Sequence, residues 1–158
     1  QEALFQPAYC KYLESPTYSL DQTLTKESLQ QFQSFIDKYP SSPKVKEANK
    51  YMDILRDKLI RKDYENAYNY YKTGNYQSAQ SSLKTFLNTY PDAKYREDAM
   101  YYIILAGYKF ADNSISDKKQ ERFQSVINEF QKFEALYPQS TKLPELKKIN
   151  EICSEKVK

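Results

Sequence analysis

Apolar residues along the chain fall into short stripes at spacings of three and four, separated by polar positions, and one such stripe occurs three times. It reads "QFQSFIDKYP" at 31–40, "SLKTFLNTYP" at 82–91 and "EFQKFEALYP" at 129–138. Aligned on Tyr39, Tyr90 and Tyr137, the copies place Phe35, Phe86 and Phe133 four residues upstream. Phe32, Leu83 and Phe130 lie three residues before those. That spacing puts the apolar residues on one face of a helix. The proline at 40, 91 or 138 cannot continue the helix and biases the residue before it away from helical backbone. Each phrase therefore predicts a helix followed by a stop.

Downstream of each stop comes a short polar turn and a second apolar stripe. Val45, Ala48, Met52 and Leu55 form the first. Tyr95, Ala99, Tyr102, Ile103, Ala106 and Phe110 form the second, and Leu143, Leu146, Ile149 and Cys153 the third. Helix, stop and helix in repetition predict an all-α solenoid. The repeat length is 51 and then 47 residues, and the excess over a short helical repeat is assigned to long helices and to two loops, "ESPTYSLDQTLT" and "ADNSISD". From Val45 to Thr73 the chain has neither Gly nor Pro. These 29 residues predict one long helix, or two nearly in line, spanning about 43 Å at 1.5 Å per residue. The expected organisation is a single helical-repeat array over 1–158. It has a front repeat at 1–43, a long connecting helix at 44–73 and rear repeats at 74–158.

The best-defined unit is "AYNYYKTGNYQSAQSSLKTFLNTYP". Its Ala67, Tyr70, Gly74, Tyr76, Ala79, Leu83, Phe86 and Pro91 are spaced as in the tetratricopeptide repeat, which it resembles. Ala67 and Ala79 are small where paired helices approach closely. Gly74 falls at a helix-ending turn. Tyr70, Leu83 and Phe86 are expected to fill the space between helices. The expected repeat core is Phe35, Tyr39, Gly74, Ala79, Leu83, Phe86, Tyr90, Phe133 and Tyr137.

Composition narrows the function. The chain contains no histidine, the commonest general base and metal ligand. It has no glycine-rich phosphate loop and no paired metal-ligand spacing, so no enzymatic activity, metal or cofactor is expected. Carboxylates such as Glu97 and Asp98 fit a solvated helix face. With 24 basic and 21 acidic side chains the charge is nearly balanced, and the densest basic run, "RDKLIRKD" at 56–63, is diluted by aspartates. No nucleic-acid partner is expected. Cys10 and Cys153 are expected to be buried, inert thiols rather than a disulfide. "FQPAY" ahead of Cys10 is not the apolar leader of a lipid-attachment cysteine. No apolar run approaches 18 residues, the length that crosses a bilayer.

What remains is a binding scaffold. Sixteen tyrosines exceed what a core of this size needs, and tyrosine is enriched at interfaces. Half of the group Tyr9, Tyr12, Tyr18, Tyr64, Tyr68, Tyr95, Tyr101 and Tyr108 is expected to be exposed. Lys84, Asn88, Tyr95, Arg96 and Tyr101 form the candidate protein-binding surface. They lie off the Leu83, Phe86, Leu87 and Ala99 stripe and combine charge with aromatic area.

The chain resembles the outer-membrane assembly lipoprotein family of BamD over most of its length. "PTYSLDQTLTKESLQQFQSFIDKYPSSPKVKEA", "LRDKLIRKDYENAYNYYKTGNYQSAQSSLKTFLNTYPD", "KYREDAMYYIILAGYKFA" and the last Tyr-Pro unit carry the resemblance. Leu-Asp-Gln at 20–22 and Arg-Asp-Lys-Leu at 56–59 are its more specific elements, since ordinary tetratricopeptide units do not need them. The family's lipidated cysteine and first repeats have no counterpart here, which implies that upstream repeats and the anchor are missing from this chain. The resemblance implies a non-catalytic scaffold at the periplasmic face of the outer membrane, lipid-anchored when full length. It implies binding to the POTRA domains of the barrel subunit BamA, to other assembly lipoproteins and to unfolded outer-membrane proteins. A tetratricopeptide adaptor of another envelope system, serving cell-wall or division coordination, is the alternative.

Overall fold

A computed structural model describes residues 2–158; Gln1, the expected start of the front repeat, lies outside the described residues. The described chain forms seven helices and no strand: α1 (Glu2–Glu14), α2 (Thr23–Lys38), α3 (Val45–Lys72), α4 (Tyr76–Thr89), α5 (Arg96–Asp112), α6 (Ser116–Leu136) and α7 (Leu143–Val157). Helices that follow one another pack together, the architecture of a tetratricopeptide-like helical repeat. The residues from Val45 onward form one continuous helix of 28 residues. Contacts divide the chain into two compact units, one ending at Asp63 and the other running from Tyr64 to Lys158, with the boundary inside α3.

The three Tyr-Pro stops have one geometry. Tyr39, Tyr90 and Tyr137 cap α2, α4 and α6 at φ/ψ of −133/61°, −129/69° and −131/59°. Each donates its backbone N–H to the carbonyl of the phenylalanine four residues earlier. The rings of the same pairs, Phe35–Tyr39, Phe86–Tyr90 and Phe133–Tyr137, lie 5.9, 5.4 and 5.2 Å apart. The phenylalanines are buried and the tyrosines half-buried. Each tyrosine thus closes the end of its helix with backbone and ring together.

In the unit ending at Asp63, the core joins Phe5 and Ala8 of α1, Phe32 and Phe35 of α2, and Ala48, Met52 and Leu55 of α3. Phe5 meets Phe32 and Phe35 edge-on at 5.6 and 5.3 Å, an orientation that aromatic quadrupoles favour. Beside this core lies a buried polar network. The Gln22 amide donates to the carbonyls of Thr17 and Leu20 at 2.7 and 3.0 Å, and its oxygen accepts from Thr25 at 2.8 Å. Thr25 contacts the Ser15 hydroxyl at 2.6 Å. From α3, Lys58 donates to Ser15, and Lys62 donates to the Leu20 carbonyl at 2.6 Å. Desolvation holds the Lys58 ammonium below its ordinary pKa. The segment between α1 and α2 is therefore a fixed structure. Gln22→Ala is expected to cost about 1–3 kcal/mol, because the buried Gln22 amide makes three hydrogen bonds that are lost together and one of them leaves the buried Thr25 hydroxyl without its acceptor. Amide hydrogen exchange at 15–22 should accelerate; unchanged protection there would show that the network does not hold the segment.

In the unit from Tyr64, the core joins Met100, Ile104, Leu105 and Ala111 of α5 with Phe123, Val126, Phe130 and Phe133 of α6 and Leu143, Leu146 and Cys153 of α7. Ala79, Leu83 and Phe86 of α4 are also buried. A Cβ at Gly107 would stand 3.1 Å from both Gln80 and Val126, so its lack of a side chain lets α5 approach α4 and α6 closely. Gly74 sits at φ 80° after α3, and the Asn75 N–H behind it bonds back to the Tyr70 carbonyl at 2.9 Å. This is the left-handed helix stop that glycine permits.

Four expectations need correcting. Tyr70 is 43% exposed rather than packed between helices; the inward face of α3 runs through Tyr64, Ala67 and Tyr71, and residue 70 stands off it. None of the eight tyrosines expected to be half exposed is fully exposed: seven pack against other aromatic rings, and Tyr18 lies under the Arg61 guanidinium at 4.0 Å. The loop expected over "ADNSISD" is shorter and covers only residues 113–115, since α5 extends to Asp112 and α6 begins at Ser116. Cys10 is an exposed free thiol and only Cys153 is buried; residue 10 faces away from the stripe of Phe5 and Ala8.

Candidate protein-interaction surface

The three turns after the Tyr-Pro stops share their backbone bonds, which makes their differences informative. Six residues after each tyrosine stand Val45, Arg96 and Leu143, each the first residue of the next helix. Their N–H groups bond to the carbonyls of Ser42, Ala93 and Ser140 at 3.0, 3.0 and 3.2 Å. In the outer turns the serine hydroxyl also accepts the N–H of Lys44 or Lys142. Ala93 has no hydroxyl to do so. In the outer turns an aliphatic side chain opens the helix, with Leu143 buried and Val45 half-buried. The middle turn places a guanidinium there. Its departures from the repeat remove a packing residue and a side-chain bond, and departures of that kind mark functional positions.

Arg96 and its neighbours line an open depression of about 480 Å3 formed by Pro91, Asp92, Ala93, Lys94, Arg96, Glu97 and Tyr137. It joins the α4–α5 turn to the end of α6. The acidic residues beside Arg96 are turned to other partners. Glu97 accepts from the Ser140 hydroxyl at 2.5 Å, and Asp98 pairs with Lys142 at 2.8 Å, which raises the Lys142 pKa. Arg96 itself donates to the Pro91 carbonyl at 3.0 Å and makes no ion pair among the described residues. The depression therefore holds an arginine that makes no ion pair among the described residues, beside a half-buried tyrosine, with Asp92 and Glu97 also in its lining.

The other candidates are less available. Lys84 pairs with Glu129 of α6 at 3.0 Å. Tyr95 stacks on Tyr64 of α3 with ring centroids 4.8 Å apart. Tyr101 donates to Glu145 of α7 at 2.8 Å and packs edge-on against Tyr102. Burial is the first cause, and that hydrogen bond the second, of a Tyr101 pKa pushed up to about 12. Asn88 is exposed on α4. Lys84, Tyr95 and Tyr101 face partners on three different helices, and Arg96 alone of the five candidates lines the depression. Comparison of position six after each tyrosine would have singled it out from the sequence.

Among the described residues no group of three or more His, Cys, Asp or Glu is placed to hold a metal ion. No helix of the described residues is long and apolar enough to cross a membrane. A family model, YfiO, described as an outer membrane lipoprotein, matches residues 6–68 and 63–152. No curated protein matches the chain significantly.

Proposed function

Because the chain belongs to the YfiO family of outer membrane lipoproteins, we propose that it is a non-catalytic scaffold of the machinery that assembles β-barrel proteins in the outer membrane. It acts at the periplasmic face of that membrane and binds the POTRA domains of the barrel subunit BamA. Other assembly lipoproteins and unfolded barrel proteins are further partners in this reading. The observation that supports docking here is the middle turn, where an arginine without a carboxylate partner replaces the aliphatic residue of the outer turns. A partner that supplies a carboxylate to Arg96 and an apolar group against Tyr137 satisfies both halves of the depression. Arginine and tyrosine are the residue types most often found as interface anchors.

The test is size-exclusion chromatography and calorimetry of the chain mixed with purified POTRA domains. A stoichiometric complex is the expected result. Charge reversal at Lys26, in the other unit, should leave its affinity unchanged. No complex at about 100 μM of each protein, or equal loss from the Lys26 and Arg96 reversals, would place docking elsewhere.

A further inference from the structure

A second face of the unit from Tyr64 carries chemistry that docking at Arg96 does not use. Along α3, Tyr64, Tyr68 and Tyr71 recur at spacings of four and three, so they share one side of the helix. Neighbouring rings in this series lie 6.1 Å apart and nearly parallel, at 6° and 17°. Tyr102 of α5 sits 4.5 Å from Tyr68 and 5.0 Å from Tyr71. Tyr76, at the start of α4, lies 5.8 Å from Tyr71. Tyr68, Tyr71, Tyr76 and Tyr102 are all half-buried, so the rings form a floor still open to solvent. From Tyr64 to Tyr71 the helix rises about 10 Å, the length of about three residues of extended chain.

Two cations rest on this floor. The Lys72 ammonium stands 5.1 Å over Tyr68, and that of Lys109 is 5.8 Å from Tyr71 and 5.6 Å from Tyr76. Both lysines are exposed, and neither makes an ion pair with a carboxylate among the described residues. Lys142 makes the contrast, because it lies over Tyr101 but is paired with Asp98. Burial raises the pKa values of the Tyr71 and Tyr102 phenols above their ordinary range. An aromatic floor with two unpaired cations at its rim fits carboxylates alternating with apolar side chains. Two cations are too few for a polyanion, and helices offer no strand edge to pair with. Recognition therefore falls to side chains.

We propose that this face binds an extended acidic peptide segment of a partner protein. Lys72 and Lys109 pair with its carboxylates, and the tyrosine floor takes the apolar side chains between them. This surface is separate from the depression at Arg96, and its test contains no POTRA domain, so either proposal can fail without the other.

The experiment is fluorescence anisotropy with a labelled peptide alternating aspartate and phenylalanine, and with the same peptide carrying asparagine for aspartate. Lys72→Glu/Lys109→Glu is compared with Lys132→Glu, an equal change of sign per residue on α6, and circular dichroism follows folding in each. The expected results are binding of the acidic peptide, at least tenfold weaker binding of the asparagine peptide, and at least tenfold loss in the double variant. Lys132→Glu should remain within twofold of the parent. If the double glutamate variant does not fold, Lys72→Gln/Lys109→Gln replaces it, with at least a threefold loss expected. Equal affinity for the two peptides, no binding at about 1 mM, or equal loss in the Lys132 variant would overturn the proposal.

Discussion

Replacing Phe86 with alanine is expected to cost about 3–5 kcal/mol of folding stability. Phe86 is 3% exposed. Its ring lies 5.7 Å from Tyr64 of α3 and 5.4 Å from Tyr90 at the helix end. Truncation would therefore empty a space lined by two helices and leave the Tyr90 cap without the ring it closes on. The neighbours cannot collapse easily into the gap, because Ala67 and Ala79 already bring the helices close and have no side chain to extend. Urea unfolding measures the effect directly. A loss below about 1 kcal/mol would mean that the site relaxes freely and that the Phe-Tyr pair is not what closes these helices.

Alkaline conditions should destabilise the protein progressively. Burial pushes the Cys153 thiol up to about 11, against an ordinary value of 9.0. Between those values the unfolded chain has lost the proton and the folded chain retains it, so rising pH favours unfolding. Each such group contributes a slope of about 1.4 kcal/mol per pH unit in its own window and nothing below it. Tyr64 and Tyr102 are raised chiefly by burial, and Tyr101 is raised to about 12, against an ordinary 10.0. Their contributions therefore begin near pH 10 and continue as pH rises. Stability should be flat from neutral pH to about pH 9 and fall above it, with tyrosinate absorbance appearing together with loss of helix. Cys153→Ala should remove the earliest part of the fall. Stability that stays level to pH 11 would contradict the burial of these groups.

Much of the architecture was legible because helix stops are local. Tyr-Pro ends a helix by the covalent geometry of proline, and the phenylalanine four residues earlier marks the face that packs. The long helix from Val45 was legible in the same way, from an uninterrupted run without glycine or proline. What was not legible depended on partners far along the chain. Periodicity assigns Tyr64 and Tyr68 to a side of α3, but not to Tyr95 and Tyr102, whose rings they meet. Without those partners the tyrosines looked like exposed surface. The Gln22 network was hidden for a related reason. Thr25 and Ser28 are polar residues at helical spacing, and only the folded chain shows that Gln22, Ser15 and the Ala8 carbonyl satisfy them indoors. At the candidate surface, residue type pointed to Arg96 and Tyr95 alike. The structure separates them, since Tyr95 is committed to Tyr64 while Arg96 holds only a backbone carbonyl.

In the proposed docking, Arg96 replaces a packing residue for the sake of a partner. Arg96→Leu tests it most directly, because it restores the residue type that the third turn already carries at Leu143. Calorimetric titration with BamA POTRA domains should show at least a tenfold loss of affinity, about 1.4 kcal/mol. The thermal midpoint of the same variant should be unchanged or higher than that of the parent. Affinity within twofold of the parent, or a fall in thermal midpoint that accompanies the loss of binding, would show instead that Arg96 serves the fold and not the partner.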